Sequence, residues 1–147
     1  MIKEIINPPV NLQGMAPLLQ VFDMPTSLHF YRDILGFEVT THSPGEGDDV
    51  DWVLLKLNNI EVMLNTAYEK SNRPPVPNLT RIKWHNDTTL YFGCPDIDLA
   101  YSQLKQKIPG LKKPAITGYG WKALDLDDPD SYHICFHWPQ KENTQEK

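Results

Sequence analysis

Residues 18–37, LLQVFDMPTSLHFYRDILGF, decide the fold of this chain. The short apolar run at 18–22 predicts a β-strand. Asp23 is suited to cap the N-terminus of a following helix, and Pro25 is tolerated in a first helical turn. Apolar side chains then recur at helical spacing at Leu28, Tyr31, Ile34 and Leu35. The stretch therefore predicts a strand followed by a helix that Gly36 ends.

Three further strands are predicted in the first half of the chain. Their apolar, β-branched and aromatic side chains lie at residues 37–41, 52–57 and 60–64. An acidic, glycine-containing loop separates the first two strands. The pair Asn58-Asn59 tolerates positive φ and joins the last two into a hairpin. The element order of this half is β-α-β-β-β.

The second half repeats this order. A strand at 88–94 is followed by a helix at 97–108 and by strands at 113–116, 119–126 and 132–138. Asp96 stands at the second strand-to-helix junction as Asp23 stands at the first, 73 residues earlier. We therefore predict an α+β fold built from a duplicated βαβββ module.

A single domain spanning 1–147 is the expected organisation. Its modules cover 16–66 and 87–139. Between them, residues 67–86 lose the apolar periodicity and contain a proline-rich run, which predicts an extended linker. The polar residues 140–147 are expected to form a disordered tail.

Composition and charge narrow the function classes. Hydrophobic residues make up 40% of the chain and the formal net charge is −5, which is typical of a globular protein and not of a nucleic-acid-binding one. No apolar run is long enough for a signal peptide or a membrane span, so we expect a cytoplasmic protein that binds neither membrane nor nucleic acid. Cys94 and Cys135 are then expected to stay reduced.

Three local motifs resemble those of a known family. They are Leu-x-Val-x-Asp at 19–23, Ser-x-x-Phe-Tyr-x-x-x-Leu-Gly-Phe at 27–37 and Asp-Pro-Asp-x-Tyr at 128–132. Over 16–139 the chain is similar to the vicinal oxygen chelate superfamily, which includes glyoxalases, ring-cleaving dioxygenases and bleomycin resistance proteins. The resemblance implies two curved mixed sheets around a cavity, and commonly a homodimer.

The resemblance also implies where metal ligands would lie. Metal-dependent members place His or Gln on the first strand of each module and Glu on the last. The matching positions here are Ala16, Met63, Thr89 and Cys135. None of these is a good oxygen or imidazole ligand, and only Cys135 could coordinate a metal. We therefore predict no metal and no cofactor, as in the metal-free, bleomycin-resistance-like branch.

His133, Cys135 and His137 alternate along the last strand, so they share one face. We interpret them as a polar stripe lining the cavity. The alternative is a metal site foreign to the family, which would need a third ligand from elsewhere, such as His85.

Large rings supply the other candidate site residues. Tyr91 shares a face with Thr89 and is inward by the family comparison, while the loop at 118–121 brings Tyr119 and Trp121 towards the cavity. The predicted ligand-binding set is Tyr91, Tyr119, Trp121, His133, Cys135, His137, Met63 and Trp52.

Three functions fit these features. The first is a protein that binds a small aromatic or cationic molecule without converting it. The second is a lyase, isomerase or dioxygenase with an atypical metal set, or a metal-free acid–base catalyst. The third is a dimeric regulatory or interaction module without a physiological ligand. Catalytic residues and the identity of the ligand stay open at this point.

Overall fold

Two four-stranded mixed sheets carry the fold of residues 9–140, the part of the chain that the computed structural model describes. The first sheet has the order β1-β4-β3-β2, and its strands are β1 (Leu18–Val21), β2 (Glu38–His42), β3 (Trp52–Leu57) and β4 (Ile60–Thr66). The second has the order β5-β8-β7-β6, and its strands are β5 (Thr89–Gly93), β6 (Ala115–Ile116), β7 (Trp121–Asp127) and β8 (His133–Pro139). In each sheet the first and last strands of the module pair in parallel and the other pairs are antiparallel. The predicted α+β fold of two βαβββ modules is confirmed.

The helix predicted in the first module begins at Met24. Helix α1 (Met24–Leu28) is capped by Asp23, whose carboxylate accepts the backbone N–H of Thr26 at 3.1 Å. It continues as a π-helical segment, His29–Ile34, and Gly36 ends it with a φ of 95°, which favours glycine.

The second module carries a shorter helix than expected. Helix α3 (Ile97–Leu104) has 8 residues, which is about two turns. The residues from 105 to 108, which were also predicted to be helical, form irregular turns. Leu104 accepts backbone N–H groups from both Lys107 and Ile108, which closes the helix early.

Each sheet has one buried face and one open face. Side chains at alternate positions, such as Leu19 and Val21 on β1 or Val62 and Leu64 on β4, face the helices and are almost fully buried. Their neighbours point the other way, and Leu18 and Tyr91 on the open faces are 48% and 58% exposed. One hydrophobic core therefore lies on the helix side of both sheets.

The turn between β7 and β8 inserts two carboxylates into the first module. Asp130 accepts the backbone N–H of Phe22 at 2.8 Å and the hydroxyl of Ser27 at 3.3 Å. Asp128 accepts the phenolic hydroxyl of Tyr31 at 2.6 Å. Both carboxylates are at least 95% buried, so these bonds replace water that the groups have lost.

Backbone donors complete the environment of Asp128. Its other oxygen accepts the N–H groups of Asp130 and Tyr132, each at 2.8 Å. Burial still raises the pKa of Asp128 to about 6, although the bond from Tyr31 and the backbone bonds oppose this shift. The sequence analysis predicted the two strands on either side of this turn, at 119–126 and 132–138, but not the contact of the turn with the first module.

The connection between the modules differs from the extended linker predicted over 67–86. It contains helix α2 (Leu79–Trp84), flanked by 3₁₀ turns at Lys70–Asn72 and His85–Asp87. Asn78 caps α2 by accepting the N–H of Arg81 at 3.1 Å, a local bond that the proline-rich composition of the segment concealed.

Tertiary contacts hold the end of this connection. The ring of His85 stacks on Tyr132 with centroids 4.0 Å apart, and its Nδ1 donates to the carbonyl of Asp130 at 2.7 Å. His85 is thus engaged with the β7–β8 turn.

One of the sequence-based expectations concerns a chain end. The predicted disordered tail at 140–147 lies outside the described residues except for Gln140, and residues 1–8 at the N-terminus are also outside them. Within 9–140, none of the helices has the length and apolar character needed to cross a membrane.

The hydrogen bond between Tyr31 and Asp128 is expected to stabilise the fold, and a substitution can test this. Removing the hydroxyl in Tyr31→Phe leaves a buried carboxylate with one donor fewer, so we expect the free energy of unfolding to fall by about 1–3 kcal/mol. Chemical denaturation measures this loss. Tyr101→Phe is the matched control, since within the described residues its hydroxyl makes no hydrogen bond. Equal stability of Tyr31→Phe and the wild-type protein would contradict the assignment.

Candidate functional site

Four rings meet on the open face of the second sheet. His137 on β8 lies between Trp121 on β7 and Tyr91 on β5, with ring centroids 4.5 Å and 4.9 Å away. Tyr119, just before β7, extends the group, its centroid lying 6.2 Å from that of Trp121. Tyr91 and Tyr119 are both more than half exposed, so the rings present a surface to solvent. We call this group the aromatic face.

Strand register explains how the sequence assembles the aromatic face. Ala123 pairs with His137 across β7 and β8, and its small side chain leaves room for the neighbouring rings. Trp121 lies two residues before Ala123 and therefore points to the same side. A tight turn orients the loop before β7, where the Thr117 side chain accepts the N–H of Trp121 at 3.1 Å and Gly120 has a φ of 85°.

His137 has an unused polar atom at the centre of this face. In the described part of the chain, its Nδ1 is buried and has no hydrogen-bond partner. An unsatisfied buried polar group costs about 1–3 kcal/mol.

A second polar group lies further along the same strands. His133 is held between two carboxylates, with Nδ1 2.9 Å from Asp127 and Nε2 3.1 Å from Asp125. The bond to Asp127 is the main cause that raises the pKa of His133 above its usual 6.5, and the contact with Asp125 adds to it. Both nitrogens are therefore occupied by carboxylates when the ring is protonated.

Cys135, which lies between His133 and His137 on β8, has a thiol of low reactivity. The side chain is 3% exposed, and burial raises the pKa of its thiol to about 12, helped by the charge of Asp125 across the strand pair. A thiol that stays protonated at neutral pH is a poor nucleophile, because the thiolate is the reactive form. Both Cys135 and Cys94 are free of disulfides.

The positions that would carry a family metal do not form a ligand set. Met63 pairs with Leu18 in the first sheet, Thr89 pairs with His133 in the second, and Cys135 is the protonated thiol just described. Among residues 9–140, no three His, Cys, Asp or Glu side chains are arranged to hold one ion. The residues present do not fit a metal of the glyoxalase or dioxygenase kind.

The predicted ligand-binding residues divide between the two sheets. The structure brings six of them together on the open side of the second sheet, namely Tyr91, Tyr119, Trp121, His133, Cys135 and His137. Trp52 and Met63 lie on the first sheet, on β3 and β4. The role of all eight residues in binding stays a prediction.

Sequence reasoning missed the two carboxylates that hold His133. Asp125 and Asp127 follow Trp121 and Ala123 at every second position of β7, so alternation along that strand was the available signal. The signal was overlooked because the predicted strand ended at residue 126, so that Asp127 fell outside it.

A family model agrees with the fold and with the motifs. The model for the Glyoxalase/Bleomycin resistance protein/Dioxygenase superfamily matches residues 14–136. The chain belongs to this superfamily. No curated protein matches the sequence significantly.

Solved structures with this fold include bleomycin-binding proteins. The bleomycin-binding protein of Streptomyces verticillus, in complex with copper(II)-bleomycin, has 18% identity and a TM-score of 0.60, covering 90% of this chain and 99% of that one. The bleomycin resistance determinant encoded on transposon Tn5 has 19% identity and a TM-score of 0.64, covering 88% and 100%. TioX from Micromonospora sp. ML1 has 14% identity and a TM-score of 0.66, covering 87% and 99%. At these identities the likeness concerns the fold alone.

The carboxylates around His133 predict a shifted titration in this superfamily member. We expect the imidazole to titrate above pH 6.5, because the folded state favours the cation. Its stabilising effect on the fold is then complete below 6.5 and is lost as the pH rises through the raised pKa. Side-chain NMR titration measures the midpoint.

Asp127→Asn should move that midpoint down, because it removes the largest cause of the shift. Asp98→Asn is the control, since Asp98 pairs instead with Lys122. A midpoint at or below 6.5 in the wild-type protein would contradict the interpretation.

Proposed function

We propose that this protein binds a planar, cationic small molecule on its aromatic face. The observation that carries the proposal is the contact of four rings around His137 on a sheet face that residues 9–140 leave open. Rings at these separations offer stacking surfaces, and an aromatic face attracts a cation through its quadrupole.

The charge on this face supports a cationic ligand. Asp125 and Asp127 are both more than half exposed on their side chains, and His133 is the one basic group that they contact on this side of the sheet in the described residues. Two carboxylates against one imidazole leave the area negative whether or not His133 is protonated. The net charge of −5 acts in the same direction.

Binding without conversion fits the chemistry of the site better than catalysis does. The Cys135 thiol stays protonated, and His133 is occupied by its two carboxylates. Bleomycin-binding proteins with the same fold support the choice of a binding role.

A second copy of the chain is the proposed cover for the aromatic face. Leu18 lies in register with Met63 on the open face of the first sheet and is 48% exposed, and Trp52 lies on the same face of that sheet. A partner that placed this first-sheet face against the aromatic face would bury both. Such an arrangement would bring Trp52 and Met63 to the ligand, as the sequence analysis expected.

Proflavine, a planar cationic dye, tests the proposed ligand class. We expect it to bind and to quench tryptophan fluorescence, and Trp121→Ala to weaken binding at least tenfold, about 1.4 kcal/mol. Trp84→Ala is the matched control, because Trp84 lies on α2 and is 72% exposed. Isothermal titration calorimetry gives the affinities.

Two further compounds test the proposed ligand class. Bleomycin extends the test to the compound that structural neighbours bind, and anthraquinone-2-sulfonate is a planar anion that should bind much more weakly than proflavine. Equal affinity of both dyes, or an unchanged affinity in Trp121→Ala, would contradict the proposal.

Oligomeric state provides an independent test of the proposed cover. We expect a dimer in sedimentation velocity, and expect Leu18→Glu to shift it to monomer because a charge would be buried at the contact. Leu99→Glu is the matched control, since Leu99 is 56% exposed on α3, away from both open sheet faces. A wild-type protein that stays monomeric at all concentrations would exclude this arrangement.

A further inference from the structure

The two modules fill equivalent strand-to-helix junctions in different ways. At the first junction, three donors hold the carboxylates of the β7–β8 turn: the N–H of Phe22, the hydroxyl of Ser27 and the hydroxyl of Tyr31. Adding the 73-residue offset between Asp23 and Asp96 gives their counterparts in the second module, which are Pro95, Ala100 and Leu104. Proline has no N–H, and the other two side chains have no polar atom.

The turn that faces the second junction is also different. The β3–β4 hairpin closes with the two-residue turn at Asn58 and Asn59, where Asn58 has a φ of 55°. It is three residues shorter than the 128–132 turn between β7 and β8. A short turn cannot occupy the space that the longer turn occupies at the first junction.

A cavity of about 300 Å³ lies at this second junction. Most of its lining is apolar and comes from both modules, including Phe37, Leu57, Phe92, Cys94, Leu104 and Phe136. Phe92 and Phe136 alternate with Tyr91 and His137 along β5 and β8, so the cavity lies on the opposite side of the sheet from the aromatic face.

The mouth of the cavity has a positive charge. Lys107 is the one charged residue in its lining within the described part of the chain, and Gln103 provides an amide beside it. Apolar cavities lined by Leu and Phe stay dry and accept apolar guests. Their volumes in proteins start at roughly 300 Å³ for small-molecule sites, so the guest here must be small.

We propose that this cavity is a second ligand site, which takes a small apolar molecule with one anionic end, such as a medium-chain carboxylate. The apolar part lies between Phe92, Phe136 and Leu104, and the anionic group reaches Lys107. The site is independent of the aromatic face, because the two lie on opposite sides of β5 and β8 and have opposite charge preference.

Octanoate is the probe for this site. Calorimetry or ligand-detected NMR should show binding, and Ala100→Leu should weaken it at least tenfold by filling the cavity. Leucine is a strong helix former, so this variant is expected to fold, which an unchanged or raised melting temperature would verify. Ala115→Leu is the matched control, because Ala115 lies exposed on β6 outside the cavity.

Further experiments test the charge preference of the site and its location. Lys107→Gln should remove the preference for octanoate over neutral octanamide, and Trp121→Ala should leave octanoate affinity unchanged. Cys94 serves as a reporter in the wall: octanoate should slow its alkylation by N-ethylmaleimide, with Cys94→Ser giving the background from the other thiol.

Three results would overturn the proposal. They are no binding of octanoate by the full chain, the same affinity in Ala100→Leu and Ala115→Leu, and no protection of Cys94. Loss of octanoate binding in Trp121→Ala would place the ligand on the aromatic face instead, and would overturn the second site while leaving the first in place.

Discussion

The buried carboxylates of Asp128 and Asp130 are the constraint on which the arrangement of this protein depends. A buried carboxylate is tolerated only where hydrogen bonds replace its hydration. The donors to this pair come from the first strand, the first helix and the turn itself, so the two modules can satisfy them only in one relative position. The contact thus fixes the modules with polar bonds inside an otherwise apolar core.

The same contact explains why the two halves of a duplicated fold are unequal. The first junction supplies donors and receives a long acidic turn, whereas Pro95, Ala100 and Leu104 at the second supply none and face a two-residue turn. The two modules therefore share one fold but differ in the polar groups at their strand-to-helix junctions. One junction became a structural contact and the other an apolar cavity.

Alternate side chains along the strands face opposite sides of each sheet, so the residues that form the core are not those on the open face. Residues that face the helices form the core, and their neighbours on the open faces are free to interact with other molecules. On the second sheet this division places Tyr91, Trp121 and His137 together on the open face. Stacking and charge are the means of recognition in the binding role proposed for these rings.

Local signals in the sequence predicted much of this architecture, while contacts between distant residues stayed hidden. The stretch at 18–37 predicts its strand, helix and glycine stop because each signal is local, and the alternation on β8 places His133, Cys135 and His137 on one face. Helix α2 was missed because a single cap at Asn78 starts it within a proline-rich segment. The contacts of Asp128 with Tyr31, 97 residues away in sequence, follow from the packing of the modules and not from any local pattern.

The four tryptophans allow the most direct test of the proposed ligand face. Each indole N–H of Trp52, Trp84, Trp121 and Trp138 gives its own NMR signal, and the four lie on different elements, namely β3, α2, β7 and β8. During titration with proflavine, we predict that the signal of Trp121 shifts most and that of Trp84 stays in place. A shift confined to Trp84 or Trp138, with Trp121 unchanged, would contradict the account.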